Sequence, residues 1–117
     1  MTISEVCEKY GFSADTLRYY EKIGLIEPVK KDQRGRRDYG DKDLSRIEFI
    51  KCMRSAGISI DAIKKYVMLL QDAPNTVNQR REILVQQRTL LQQKIKEMQI
   101  SLEFLNKKIE KYDKRQH

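Results

Sequence analysis

Apolar residues recur at helical spacing in the first part of the chain, and glycine or serine interrupts them at intervals. Thr2 and Glu5 have the spacing of a capping box, so a first helix is expected to begin there and to end at Gly11. Ser13 can cap a second helix that extends to about Lys22. A helix, a short glycine-containing turn and a second helix form the helix-turn-helix pattern.

A polar segment with the features of a short β-hairpin follows the second helix. Pro28 permits an edge strand only, and Gly35 can form a turn between two short strands. Five of the eight residues from 30 to 37 are basic and one is acidic, which makes this the densest positive stretch of the chain. The segment is therefore predicted to be a small β-wing beside the helix-turn-helix.

Two further amphipathic segments predict a third and a fourth helix. Asp41 can cap the third, which is closed by Gly57, and Ser59 can cap the fourth. The pattern ends shortly before Pro74. These elements define a predicted head domain, residues 1–72, that is mostly α-helical with a winged helix-turn-helix.

From residue 75 to 113 the chain contains no glycine or proline, and its apolar residues follow a heptad repeat. One series recurs every seventh residue and a second is offset by four, which is the a/d pattern of a coiled coil. Such a helix would extend roughly 50–60 Å and cannot bury its apolar stripe against a small head, so a homodimer is the simplest explanation. Arg81 and Arg88 occupy a positions, which places the best seam in the C-terminal half. The predicted dimer interface comprises Leu84, Leu91, Ile95, Met98, Leu102, Leu105, Ile109 and Tyr112.

The charge balance adds a polyanionic partner to this picture. The chain has 24 Lys and Arg against 17 Asp and Glu, a net charge of +7. Such a balance favours nucleic acid or an anionic membrane surface. No apolar run is long enough to span a bilayer, and the N-terminus lacks the features of a signal peptide, so a cytoplasmic protein is expected.

Residues able to support catalysis or bind metal are few. The only cysteines are Cys7 and Cys52, they form no Cys-x-x-Cys pair, and the only histidine is His117. A zinc site would need ligands that this chain does not have, and no metal or cofactor is expected. A cysteine nucleophile would lack a well-placed base, and no carboxylate pair or glycine-rich phosphate loop is present. The sequence therefore argues against an enzyme.

Five strings of residues carry a family resemblance: Leu17-Arg18-Tyr19-Tyr20-Glu21, Gly24-Leu25-Ile26 with Pro28, Arg36-Arg37-Asp38-Tyr39, Ile50-Lys51-Cys52-Met53-Arg54 and Gly57-Ile58-Ser59. Taken together, they resemble the MerR family of transcription regulators. The resemblance implies a winged helix-turn-helix head, an antiparallel coiled coil and a homodimer on a palindromic promoter. It also implies a mechanism in which the dimer bends and untwists an overlong promoter spacer for RNA polymerase. The short C-terminal part and the cysteine in the third helix are most similar to the AdhR/NmlR-like branch, which is associated with aldehydes and other electrophiles.

In the arrangement that the resemblance implies, side chains of the second helix contact the DNA bases and the wing contacts the DNA backbone. Arg18 can read a guanine edge or hold a phosphate, and Tyr19 can donate to a phosphate. For Tyr20 a core position is equally consistent, since one of two adjacent tyrosines must face inward. The wing arginines are expected to contact phosphates rather than form only a solvated charge run, and the two basic residues of helix three either reach the backbone or are solvated. The predicted DNA-contacting residues are Ser13, Thr16, Arg18, Tyr19, Tyr20, Arg34, Arg36, Arg37, Tyr39, Lys51 and Arg54.

Cys52 is a candidate sensor. A thiolate attacks aldehydes, quinones and disulfides, and the nearby cations Lys51 and Arg54 favour the thiolate. The alternative, which the residue pattern alone favours, is a small hydrophobe that packs in the helix; the family resemblance favours the sensor. Cys7 is expected to be structural. A regulator or architectural protein that senses nothing would share the same head and coil, and it remains the alternative function.

Overall fold

The computed structural model describes residues 1–72 and 74–115, and this part of the chain forms five α-helices. It divides into two compact units, which we call the head (Met1–Arg80) and the coil segment (from Arg81 onward). No helix in the described residues is long and apolar enough to cross a membrane. The helices are α1 (Ile3–Tyr10), α2 (Ala14–Lys22), α3 (Asp41–Ser55), α4 (Ile60–Asp72) and α5 (Val77–Arg115).

The capping residues and the glycine expected from the sequence mark the ends of α1 and the start of α2. The Thr2 hydroxyl accepts from the Glu5 N–H at 3.2 Å, and the Glu5 carboxylate accepts from the Thr2 N–H at 3.0 Å, so the capping box is formed. Gly11 adopts φ 78° at the end of α1, a left-handed conformation that strains other residues. Ser13 accepts from the Thr16 N–H at 3.1 Å and begins α2. The predicted helix-turn-helix is confirmed.

The wing is a hairpin (residues 30–38) that is shorter than expected. Instead of two short strands, the described residues contain a single antiparallel bridge between Lys31 and Arg37. The Asp32 carboxylate accepts from the backbone N–H groups of Arg34 at 2.9 Å and Arg36 at 3.0 Å. Because a side chain takes these two donors, the turn is tight and the ladder does not extend.

The caps of α3 and α4 agree with the sequence signals except at one position. Gly40, not Asp41, is the N-cap of α3, and Asp41 is its first helical residue. The carboxylate of Asp43 accepts from the Gly40 N–H at 2.9 Å. Ser59 caps α4 as expected, because its hydroxyl accepts from the Ala62 N–H at 3.1 Å. An acidic residue inside the first turn therefore stabilises the start of α3 where a capping side chain was expected.

One apolar core joins the four helices and the hairpin base of the head. Its members come from every element between α1 and α4, so the surfaces of α1, α2 and the hairpin are held on a common support. Truncating a fully buried residue such as Leu17 to alanine should lower the free energy of unfolding by several kcal/mol, because its packing contacts are lost. The buried apolar residues are Val6, Tyr10, Leu17, Tyr20, Leu25, Ile26, Val29, Tyr39, Ile47, Ile50, Ile58, Ile63 and Val67.

The first turn of α5 belongs to the head. The Thr76 hydroxyl donates to the carbonyl of Leu69 at 3.1 Å, and Arg80 Nε donates to the Thr76 hydroxyl at 3.2 Å. The boundary between the two units therefore lies inside α5, whereas the expected domains, 1–72 and 75–113, follow the helix ends. At 1.5 Å per residue, the 39 residues of α5 extend about 58 Å.

Candidate DNA-binding interface

The two adjacent tyrosines of α2 face opposite ways. Tyr19 is 51% exposed, whereas Tyr20 is 5% exposed and packs edge-on against the Phe12 ring, with 5.6 Å between centroids. The sequence left Tyr20 open between a core position and DNA contact, and the structure places its ring in the core. Tyr19 lies on the outer face of α2, together with the exposed side chain of Arg18. This face is available to a ligand of the helix-turn-helix.

Arg18 makes one weak contact within its own helix. Its Nη1 lies 3.2 Å from Asp15 Oδ1, three residues earlier, and both side chains are at least half exposed. Exposed pairs of this kind contribute about 0–1 kcal/mol and are screened by salt. A phosphate or a guanine edge can therefore replace Asp15 as the partner of Arg18 at little cost.

The hairpin arginines have different surroundings. Arg34 and Arg36 are exposed, and Arg36 Nε lies 3.7 Å from the Asp32 carboxylate. Arg37 is half-buried, and its Nη2 donates to Glu21 Oε2 at 3.1 Å. The predicted phosphate contact of Arg37 would compete with this ion pair, since the carboxylate of Glu21 holds its guanidinium. Arg34 and Arg36 remain exposed cations of the hairpin, together with Lys30 and Lys31.

The ion pair between Glu21 and Arg37 shifts the pKa values of both groups. The hydrogen bond from Arg37 holds the pKa of the Glu21 carboxyl below its ordinary value of 4.5, and the Val29 N–H adds to this effect. The same contact raises the pKa of Arg37. Both groups are therefore charged at neutral pH.

We expect acid to loosen the hairpin from α2. Because the pKa of Glu21 is lower in the folded protein than its ordinary value, its stabilising contribution is complete above pH 4.5 and is lost as the pH falls through the folded value. Hydrogen exchange of the Val29 amide, followed by NMR from neutral pH down to acid, should show this loss after correction for intrinsic rates. Glu21→Gln should remove that step, and an identical profile in the parent and the variant would contradict the assignment.

Tyr39 lies at the base of the hairpin and is buried. Its side chain is 3% exposed, and burial raises the pKa of its hydroxyl. Its backbone N–H donates to the carbonyl of Met1 at 2.8 Å, which joins the hairpin to the segment before α1. The predicted contact of Tyr39 with DNA meets the same obstacle as that of Tyr20, because the ring packs in the core.

A groove of about 550 Å³ brings three elements of the head together. We call it the basic groove. Its walls are the start of α1, the outer face of α2 and the tip of the hairpin, and two exposed arginines, Arg18 and Arg36, line it. At the start of α1, the Glu5 carboxylate and the Thr2 hydroxyl of the capping box already accept N–H groups, so the positive charge of the groove comes from its arginines. The lining residues are Thr2, Ile3, Ser4, Arg18, Gly35, Arg36 and Arg37.

The sequence pattern did not predict that α1 lines the basic groove. Thr2 was recognised only as a cap, and Ser4 was not considered as a contact. The signal that was available is the helix N-terminus itself, but the position of that terminus beside Arg18 and Arg36 depends on the packing of α1 in the head.

Comparison with known proteins identifies the family of this chain. Residues 1–69 match the model of the MerR HTH family regulatory protein, and residues 44–109 match the model described as MerR, DNA binding. The chain belongs to the MerR family. It is accordingly a DNA-binding transcription regulator, and its named relatives are regulators rather than enzymes.

Relatives and solved structures of the family extend over most of the chain. The regulator AdhR of Bacillus subtilis is 48% identical over 91 residues, which are 78% of this chain and 65% of AdhR. A MerR family regulator of Listeria monocytogenes is 44% identical, with a TM-score of 0.87 over 97% of this chain and 86% of that one. HiNmlR, described as a MerR family regulator lacking the sensor domain and bound to promoter DNA, is 31% identical, with a TM-score of 0.79 over 88% of this chain and 78% of that one.

Other residues that we predicted to contact DNA lie outside the basic groove of this MerR-family head. The Ser13 hydroxyl donates to the Thr16 hydroxyl at 2.8 Å, so both are engaged in the cap of α2. Lys51 is exposed on α3. Arg54 Nη1 donates to the carbonyl of Ile58 at 2.9 Å, which closes the turn between α3 and α4. Arg54 therefore has a structural contact that the sequence did not indicate.

The two cysteines differ in accessibility. Cys52 is exposed on α3, whereas Cys7 is half-buried against the core, as expected for a structural residue. Cys52 therefore does not pack as a small hydrophobe within the head. Its thiol is open to reagents in the isolated chain.

The predicted seam residues of α5 are uncovered in the single chain. No residue of α5 is buried, and Leu91 is the only predicted seam residue that is half-buried. Leu90, Ile100 and Phe104 are also exposed, and they lie at heptad positions outside the seam. The heptad pattern did not account for these three.

Proposed function

We propose that the protein acts as a homodimer that distorts a promoter spacer to control transcription, and that it responds to aldehydes or other electrophiles through Cys52. The observation that most supports DNA binding by this surface is the basic groove, where exposed Arg18 and Arg36 lie next to the start of α1. Specific recognition would come from Arg18 and Tyr19 on α2, and backbone contacts from the hairpin.

Dimerisation is supported by the apolar stripe of α5. A seam of leucine, isoleucine and methionine side chains is exposed in one chain, and exposed apolar stripes of this length are unusual in monomers. Pairing two α5 helices in antiparallel orientation would cover the stripe and set two heads apart for the halves of an inverted repeat. The similarity to HiNmlR, which is described as bound to promoter DNA, agrees with this proposal.

Control of transcription would follow from DNA deformation. Bending and untwisting a spacer of this kind costs several kcal/mol, which contacts from two heads can offset. The energy gained at the basic groove would then be used to bring the two polymerase elements into register for RNA polymerase.

The sensor proposal rests on the accessibility of Cys52 and on the similarity to AdhR. Its thiolate would add to the carbonyl carbon of an aldehyde, and the oxygen would take up a proton from water, which gives a hemithioacetal. An adduct on α3 would bias the equilibrium between two dimer states. The second candidate is a regulator that binds DNA in the same way and senses nothing. The exposed seam and the basic groove support this candidate as well as they support the sensor.

We expect Cys52→Ser to separate these two candidates. In transcription with purified RNA polymerase from a promoter with a long spacer, the parent should activate when aldehyde or quinone is added. Cys52→Ser should bind the inverted repeat with the parent's affinity and fail to activate, because it keeps the size and loses the nucleophile.

Cys7→Ser is the matched control and should respond as the parent does, provided its thermal unfolding is unchanged. Full activation of the Cys52→Ser protein by the inducer would exclude Cys52 as the sensor. Transcription by the parent that does not change when the inducer is added would instead support the non-sensing regulator. Failure of the parent to prefer the inverted repeat over random DNA would instead contradict the proposed mode of binding.

A further inference from the structure

We infer that Glu21 is a positioning residue, which fixes the hairpin against α2 and so places Arg36 opposite Arg18 in the basic groove. The inference rests on the proposed role of that groove in DNA binding. Glu21 touches no DNA in this scheme and acts through Arg37 and Val29.

The geometry places Glu21 between the two DNA-facing elements. It is the next-to-last residue of α2 and lies three positions after Arg18, on the neighbouring turn of the same helix face. Its Oε1 accepts from the Val29 N–H at 3.1 Å and from Arg37 Nε at 3.3 Å, while Oε2 accepts from Arg37 Nη2 at 3.1 Å. Val29 immediately precedes the hairpin and Arg37 is in its second arm, so one carboxylate holds the chain where it enters the hairpin and where it returns.

Apart from Glu21, the hairpin is bound to itself and, at its base, to the N-terminus. The Asp38 N–H donates to the Lys30 carbonyl at 2.8 Å, and the Asp32 N–H donates to the Arg36 carbonyl at 2.7 Å.

The contacts at the base of the hairpin lead to the segment before α1 and not to α2. The Met1 amino group donates to Asp38 Oδ1 at 3.2 Å, and the Tyr39 N–H donates to the Met1 carbonyl at 2.8 Å. Within the described residues, the contacts of Glu21 are the hydrogen bonds that join the hairpin to α2. Loss of Glu21 should therefore leave a hairpin that is still folded and anchored at its base but is no longer held at one angle to α2.

The pair is less exposed than the other ion pairs of the head surface. Its side chains are 28% exposed for Arg37 and 20% for Glu21, compared with at least half for Arg18 and Asp15. Two parallel N–H donors on one carboxylate also restrict the orientation of both groups. Since Glu21 neutralises Arg37, the charge that the groove offers to an anion comes from Arg18 and Arg36, whose own ion pairs are more exposed.

This scheme predicts opposite effects of Glu21→Gln on specific and non-specific binding. The amide keeps an acceptor for Val29 but loses the ion pair, so Arg36 is displaced and the charge of Arg37 is released. We expect the affinity for the inverted repeat to fall about tenfold or more, as for the loss of a good DNA contact. Affinity for random duplex DNA should be retained or rise, because the net charge increases by one.

The experiment measures both affinities for the full chain over a range of salt. Glu8→Gln is the matched control, since it removes the same charge from an exposed site on α1 and should leave the ratio of the two affinities unchanged. The double variant Glu21→Gln with Arg37→Gln should lose no more specificity than the worse single variant, because both residues act through one contact. Thermal unfolding of each variant reports the fraction folded.

A second measurement tests the positioning role without DNA. Hydrogen exchange of the hairpin and Val29 amides should be faster in Glu21→Gln than in the parent, while core amides such as that of Ile50 keep the parent's rate. Equal loss of specific and non-specific binding, or unchanged exchange of these amides, would overturn the inference. If the amides respond but Arg36→Ala binds the inverted repeat as the parent does, Glu21 positions the hairpin and the proposed role of the groove is wrong.

Discussion

Replacing both Leu91 and Leu105 with aspartate is expected to convert the protein into a monomer and to abolish tight binding to its inverted repeat. Both leucines lie in the d series of the seam, so an antiparallel dimer would bury four new carboxylates against apolar side chains. Burying one unpaired charge costs several kcal/mol, which exceeds what a seam of this length can offset. A monomer presents one head, and the loss of the second removes an avidity of roughly 10²–10⁴.

Sedimentation equilibrium and gel shift of the same samples would test this expectation. The matched control replaces Gln86 and Gln93, which lie at f positions on the outer face of α5. Gln86→Asp with Gln93→Asp adds the same charge and should remain a dimer that binds as the parent does. A dimer of unchanged mass in the leucine variant would show that the seam is assigned to the wrong face.

Arg18→Ala is expected to lower the affinity for the specific site by about 1–3 kcal/mol per head. Arg18 is the exposed arginine of α2 and lines the basic groove opposite the hairpin. Its contact with Asp15 is exposed, so little of the effect should come from stability. Fluorescence anisotropy and footprinting on the inverted repeat and on random DNA would separate base recognition from backbone attraction.

Asp15→Asn provides the control for this variant. It removes the intramolecular partner of Arg18 and one negative charge beside the groove, so binding should be equal to or tighter than that of the parent. An Arg18→Ala protein with the parent's affinity and footprint would mean that a different face of the head reads the DNA.

Local signals in the sequence were sufficient for the helices and the turns between them. Capping side chains and glycines act within a few residues of the ends that they define, which explains why the bounds of α1 and α2 agree with the expectation. The heptad of α5 is equally local. The dimer and its antiparallel orientation stay predictions, since they depend on a second chain.

The order of the elements, the helix-turn-helix and the outward direction of Arg18 could therefore be predicted from local patterns alone. Which of the candidate contacts are free to meet DNA depends on how the head is packed. Tyr20 and Tyr39 are buried, and Arg37 is held by a carboxylate sixteen positions away. Tyrosines and arginines that are free to meet DNA and those that are not look alike in the local sequence. They differ in how they pack and pair with other elements, and a local pattern does not contain that information.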